Sequence, residues 1–123
     1  MIREKEYKAR ERAMSEVCAD VLKELERCTI TSPFSTHDYA DANGMAEPYV
    51  RAVIRELRLQ GIRICSNPNR SGYWLEERGG GYEETRRQML SRAFRLLEVV
   101  RAMDGNKDGQ MEWAELLEEV SFG

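Results

Sequence analysis

Read for apolar spacing alone, the chain opens with one long helical stripe. Ala13, Val17, Val21, Leu22 and Leu25 recur at intervals of three and four while Lys, Arg and Glu fill the remaining positions, which predicts a helix over about 3–27. Its first dozen residues are polar enough to project from the body or to pair with another chain. The stretch TITSPFST (29–36) breaks the pattern with Pro33 and a Ser/Thr cluster. A short helix over 36–43 follows, with Thr36 or Ser35 as its N-cap and Asn43-Gly44 as its stop. In MAEPYVRAVIRELRLQG, Val50, Val53, Ile54 and Leu57 stand at i, i+3, i+4 and i+7. Pro48 suits a first turn, and Gly61 ends this third helix.

Two short β-like pieces come next, 62–65 and 72–75, joined by the turn-rich SNPNRS. The run RGGG (78–81) is a flexible joint. A second long helix is expected over about 83–103, with Met89, Leu90, Ala93, Phe94, Leu97, Val100 and Met103 as its buried face. After a twelve-residue acidic stretch, a short amphipathic helix bears Trp113, Leu116, Leu117 and Val120. No internal repeat is visible.

Composition narrows this picture. At 123 residues the chain can bury one compact core and not two independent ones. A charged fraction of 33% suits long exposed helices. No apolar run approaches the roughly 18 residues of a membrane span, and charge occupies the place of a signal peptide's apolar core, so a cytoplasmic protein without membrane partners is expected. Cys18, Cys28 and Cys65 are odd in number and lack CxxC spacing, which reads as reduced, partly buried thiols. A metal site from Cys28, His37 and Cys65 would follow no motif. No nucleophile–base pair or phosphate-binding Gly-rich loop stands out, so enzyme activity is not expected.

Charge is unevenly placed. Residues 104–123 carry six acidic side chains against Lys107 alone. Between Val50 and Arg70 there are five arginines, Arg51, Arg55, Arg58, Arg63 and Arg70, against Glu56. A basic middle and an acidic tail suggest two different jobs.

The order short helix, Gly-containing turn, longer helix, hairpin is that of a winged helix-turn-helix, whose second helix enters the DNA major groove while the hairpin touches the flanking backbone. With the apolar stripe facing the core, Arg51, Arg55 and Arg58 share an exposed side, and Arg63 and Arg70 fall on the hairpin, where a long cation can neutralise phosphate. The stretch from about Thr31 to Leu75, above all Ile54-Arg-Glu-Leu-Arg58 with Gly61-Ile62, and Gly72-Tyr-Trp-Leu75, resembles winged helix-turn-helix proteins, most closely small phage and prophage ones. The resemblance implies binding to double-stranded DNA in a regulatory or phage-replication role. Thr36 and His37, at a helix start, are candidate phosphate contacts, and Tyr49 a candidate stacking group. This third helix departs from the pattern by opening Ala46-Glu47-Pro48, which sets a carboxylate where phosphate would be repelled unless it accepts from a cytosine amino group. The arginines equally suit a solvated face paired with Glu47 and Glu56, and Tyr73 and Trp74 suit core anchors of the hairpin better than base-stacking groups.

The acidic stretch DGNKDGQMEWAE (104–115) fits D-x-[DN]-x-[DN]-G-x5-E. Asp104, Asn106 and Asp108 would supply side-chain oxygens, and Gly109 the sharp turn. Gln110 offers its backbone carbonyl, Glu112 binds directly or through water, and Glu115 closes the loop with both oxygens. The stretch resembles an EF-hand, including the flanking apolar positions Val100, Met103, Met111, Leu116 and Val120. It implies one Ca²⁺ per chain.

A lone hand leaves two arrangements open. Two chains pair, through the loop with Met111 meeting Met111 or through the terminal helices as a homodimer, or the loop stands alone and binds weakly, stapling the C-terminal helix to the body or sensing the ion. The expected fold is therefore mainly α (α+β), a winged helix-turn-helix domain with a long N-terminal helix (1–78) followed by a C-terminal helix and single EF-hand-like helix-loop-helix (83–123). The competing function is a non-enzymatic interaction or assembly module on a winged-helix scaffold that no longer binds DNA.

Overall fold

The computed structural model describes residues 2–105 and 113–122, those at 2–13, 70, 113–114, 116 and 121–122 by their backbone alone. The chain is mostly helical with one small antiparallel sheet, an α+β fold. In order it runs α1 (Ile2–Arg27), α2 (Thr36–Asn43), α3 (Glu47–Leu59), β1 (Ile64–Asn67), β2 (Arg70–Leu75), a 3-10 turn at Glu76–Arg78, α4 (Tyr82–Met103) and α5 (Trp113–Phe122). It divides into two compact units, residues 1–85 and 86–123.

The core of the first unit is built from the stripes that the spacing picks out. Val17, Val21 and Leu25 of α1 meet Val50, Val53, Ile54 and Leu57 of α3, joined by Phe34, Ala40, Ile64 and Leu75. Each fully buried Leu, Ile or Val contributes on the order of 1.5–3 kcal/mol relative to exposure, so this cluster holds the unit together. Cys18 is buried beside Val17, and Met14, Leu22 and Cys28 flank the cluster.

Local chemistry sets the ends of the elements. Ser35 caps α2, its hydroxyl accepting from the Asp38 N–H at 3.1 Å. Gly44 stops α2 in the left-handed region (φ 63°), and the Met45 N–H returns to the Ala40 carbonyl at 2.9 Å. Helix α3 opens without a side-chain cap on Ala46, with Pro48 in its first turn.

The hairpin differs from the expectation. Strand β1 starts two residues later than 62–65, because the Ile62 N–H still bonds back to the Leu57 carbonyl at the end of α3. Strand β2 starts two residues earlier than 72–75. Ile64 faces Leu75, Cys65 faces Trp74 and Ser66 faces Tyr73, with a register shift between Ser66 and Asn67. The backbone of Ser66 and Asn67 thus pairs in the ladder although their side chains are typical of turns.

Two further contacts fasten this hairpin. Phe34 forms an isolated antiparallel bridge with Tyr73, N–H to carbonyl at 2.7 and 2.9 Å in the two directions. Gly72 makes that approach feasible: its φ is 114°, and a Cβ there would lie 2.6 Å from Pro33 Cβ. On the other side, the buried Thr85 hydroxyl accepts from the Ser66 N–H at 3.1 Å and lies 3.1 and 3.0 Å from the Ser66 and Gly81 carbonyls, either of which can take its proton. Trp74 is buried, its indole N–H donating to the Gly80 carbonyl at 2.8 Å.

In the second unit the expected burial of α4 does not occur. Leu90, Phe94, Val100 and Met103 are exposed, as is Ala93, while Met89 and Leu97 are half-buried. On α5, Leu117 and Val120 are exposed too. The spacing correctly picks a helix, but spacing alone does not report what its apolar side chains pack against.

Candidate nucleic-acid interface and calcium loop

Helix α3 turns Val50, Val53, Ile54 and Leu57 inward, which leaves Pro48, Arg51, Ala52, Arg55 and Leu59 along its outer side. The arginines picked out by spacing do not share one environment. Arg51 is largely exposed and donates to Glu47 Oε1 at 2.8 Å, one helical turn back. Arg55 is exposed, and no hydrogen bond or ion pair holds it among the described residues. Arg58 instead bends to the hairpin: its Nε and Nη2 donate to the Ile64 carbonyl at 3.0 and 2.8 Å. The Arg58 guanidinium also sits 5.4 Å from the Tyr73 ring centroid. It ties the end of α3 to β1.

Arg63 is likewise engaged. It donates to both carboxylate oxygens of Glu76, at 3.2 and 3.3 Å, and lies 4.1 Å from the Tyr82 ring centroid. Arg70 lies on β2, with only its backbone described. Tyr49 is half-buried and packs on the core, and Tyr73 does the same from β2.

Glu47 organises the junction of α2 and α3. The buried Thr36 hydroxyl donates to its Oε1 at 3.1 Å, and Arg51 donates to the same oxygen. His37 is exposed, with Nδ1 3.9 Å from Glu47 Oε2 and Nε2 3.3 Å from Asp41 Oδ2. The hydrogen bonds from Thr36 and then Arg51 hold the Glu47 carboxyl below its ordinary pKa. This carboxylate therefore has a structural task at the start of α3, and Thr36 spends its hydroxyl inside the protein. Spacing alone could not find the link, because Thr36 and Glu47 are eleven positions apart and meet only through the turn at Gly44.

The three cysteines are free. Burial raises the pKa of each thiol, which disfavours the reactive thiolate. Among the described residues no group of three or more His, Cys, Asp or Glu side chains is placed to hold a metal, so Cys28, His37 and Cys65 do not assemble into a site.

Of the candidate calcium ligands, Asn106, Asp108, Gln110 and Glu112 lie outside the described residues. The two ends of the loop are described. Asp104 follows the last residue of α4 and is exposed, and Glu115 is exposed in the first turn of α5. Carboxylate oxygens are the ligand type that a hard cation takes. A glutamate in a first helical turn is also favourable without any metal, because it faces the positive end of the helix dipole.

Among the described residues, no helix is long and apolar enough to cross a membrane. No protein-family model, curated protein or solved structure matches this chain.

Proposed function

We propose that the protein is a small winged helix-turn-helix DNA-binding regulator, or a phage-replication-associated protein of that kind, with a calcium-binding loop at 104–115. The observation that carries the reading is the arrangement of 31–85. An α2–turn–α3 pair is followed by a hairpin whose second strand bridges back to Phe34, and α3 buries one stripe while turning Arg51 and Arg55 outward. In this arrangement α3 lies in the major groove and the hairpin follows the backbone. Arg55 and Arg51 are the groove-facing cations, with Arg51 exchanging Glu47 for phosphate. Arg70 on the hairpin is a third contact. Arg58 and Arg63 position the hairpin through Ile64, Glu76 and Tyr82.

Calcium enters through Asp104, Asn106, Asp108, the Gln110 carbonyl, Glu112 and Glu115. Once bound, the ion supplies positive charge to an acidic tail and so reduces its repulsion of nearby DNA. A second reading is favoured by the internal engagement of Arg51, Arg58 and Arg63: the scaffold serves assembly and binds no DNA. Gel-shift binding to a pool of short duplexes at low salt separates the two. A shift abolished by Arg51→Glu with Arg55→Glu supports the regulator, and no shift by the wild-type protein overturns it.

A further inference from the structure

The outer side of α3 is poorer in polar groups than its arginines suggest. Of residues 47–53, Val50 and Val53 are buried and Tyr49 packs on the core. Glu47 has one carboxylate oxygen engaged by both Thr36 and Arg51, and the other lies toward His37. That leaves Pro48, Arg51 and Ala52 exposed. Around the helix axis, Pro48 and Ala52 fall within about 30° of the direction opposite the buried stripe, and Arg51 lies about 70° to one side of it. Arg55 stands one turn beyond Arg51, and Leu59, 64% exposed, continues the outer strip to the end of the helix. The outermost line of this half of α3 is therefore two small apolar side chains flanked by cations.

These side chains limit what the helix can read. In a recognition helix, the residues that meet base edges are those near its N-terminus. Adenine is read by Asn or Gln and cytosine by a carboxylate, with Ser and Thr serving either. Helix α3 contains no Asn, Gln, Ser or Thr. Of its two carboxylates, Glu47 is held at the junction with α2, and Glu56 turns to α1, lining a cleft with Cys18 and Ala19. Arg51 and Arg55 are committed to phosphate in the reading above. What Pro48 and Ala52 can meet is the apolar group of the major groove, the 5-methyl of thymine. Their small size also lets the helix backbone come close to it, while the flanking arginines suit the phosphates on either side of a groove. We propose that α3 selects thymine by its 5-methyl group, with Ala52 making the contact and Pro48 beside it. This rests on the DNA-binding reading and adds to it the class of base recognised.

Selection from a random duplex pool supplies the probe, and a thymine should recur at a fixed position in the selected site. Replacing that base by deoxyuridine removes only the methyl, and wild-type affinity should fall about fourfold, the worth of one buried methyl group. In Ala52→Gly the same replacement should leave affinity unchanged, because the methyl has lost its partner. The melting transition checks that this variant folds. Ala52→Ser, which disturbs the helix less and sets a hydroxyl against the methyl, should shrink the penalty too. Equal wild-type affinity for the two duplexes, or a site without a recurring thymine, overturns the inference and leaves DNA binding standing. An undiminished penalty in both variants would put the methyl against another residue and overturn the assignment to Ala52. No wild-type binding to any duplex at low salt overturns the DNA-binding reading and this inference with it.

Discussion

Arg58 shows how one side chain can look functional by its spacing and be structural by its contacts. It stands at i+7 from Arg51 and i+3 from Arg55, yet its guanidinium donates twice to the Ile64 carbonyl and lies over Tyr73. Arg58→Ala should cost about 1–3 kcal/mol in chemical denaturation, because it leaves a half-buried carbonyl without its donor. Arg55→Ala, which removes no internal contact, should stay within about 0.5 kcal/mol. Equal costs would mean that Arg58 is as free as Arg55.

Glu47 allows a pH prediction with a definite sign. Its pKa is lower in the folded protein than in the unfolded chain, mainly through the Thr36 hydrogen bond and then the one from Arg51. Such a group stabilises the fold above its unfolded pKa, and the contribution is lost as pH falls through the folded value. Glu47→Gln should therefore flatten the acid limb of the stability curve and leave its alkaline limb unchanged. An unaltered acid limb would show that Thr36 and Arg51 do not favour the charged form. The Arg51 pairing is legible in the sequence as an i, i+4 contact on a solvated face, whereas the Thr36 link is not, because it closes only through the turn at Gly44.

At the level of elements, legibility follows burial. The stripes of α1 and α3 are read correctly where they are described, because Val17, Val21 and Leu25 and Val50, Val53, Ile54 and Leu57 are buried, so only apolar residues fit there. The first strand is placed two residues early because Ser66 and Asn67 pair through their backbone, which residue type reports poorly. The bridge from Phe34 and the anchoring of Ser66 by Thr85 are missed for the same reason, being single-residue contacts across 39 and 19 positions with no periodicity. In α4 the helix is right and the burial is wrong, since apolar spacing alone does not report what a side chain packs against.

The proposed calcium site, Asp104 to Glu115, is read from residue types alone, and most of it lies outside the described residues. Occupancy by Ca²⁺ predicts that, at about a hundred times the dissociation constant, the ion adds about 2.7 kcal/mol and raises the melting temperature by roughly 5 °C or more over a chelated sample. Glu115→Gln should remove most of that gain. Superimposable melting curves with calcium and with chelator would leave Glu115 as a helix-start carboxylate only.

For the whole molecule, the first unit supplies a helix with Arg51 and Arg55 on its outer side, followed by a hairpin, and the second exposes apolar side chains on α4 and α5. The proposed winged helix-turn-helix reading of 31–75 rests on the same residues that build the core and the hairpin. It therefore speaks for the scaffold more strongly than for the DNA contacts, which rest on Arg51, Arg55 and Arg70. Three phosphate contacts predict a salt slope of about −3 in log affinity against log salt, or a loss of roughly fiftyfold between about 50 and 200 mM. That is a modest electrostatic footprint, in keeping with a negatively charged chain.

Fluorescence anisotropy of labelled duplex DNA across a salt series tests this most directly, with the wild-type protein beside Arg51→Glu with Arg55→Glu. Wild-type binding that weakens with salt at a slope of about −3, together with loss of binding by the variant, is the predicted result. Absence of wild-type binding at low salt, or a variant that binds equally well, would contradict the placement of α3 against DNA.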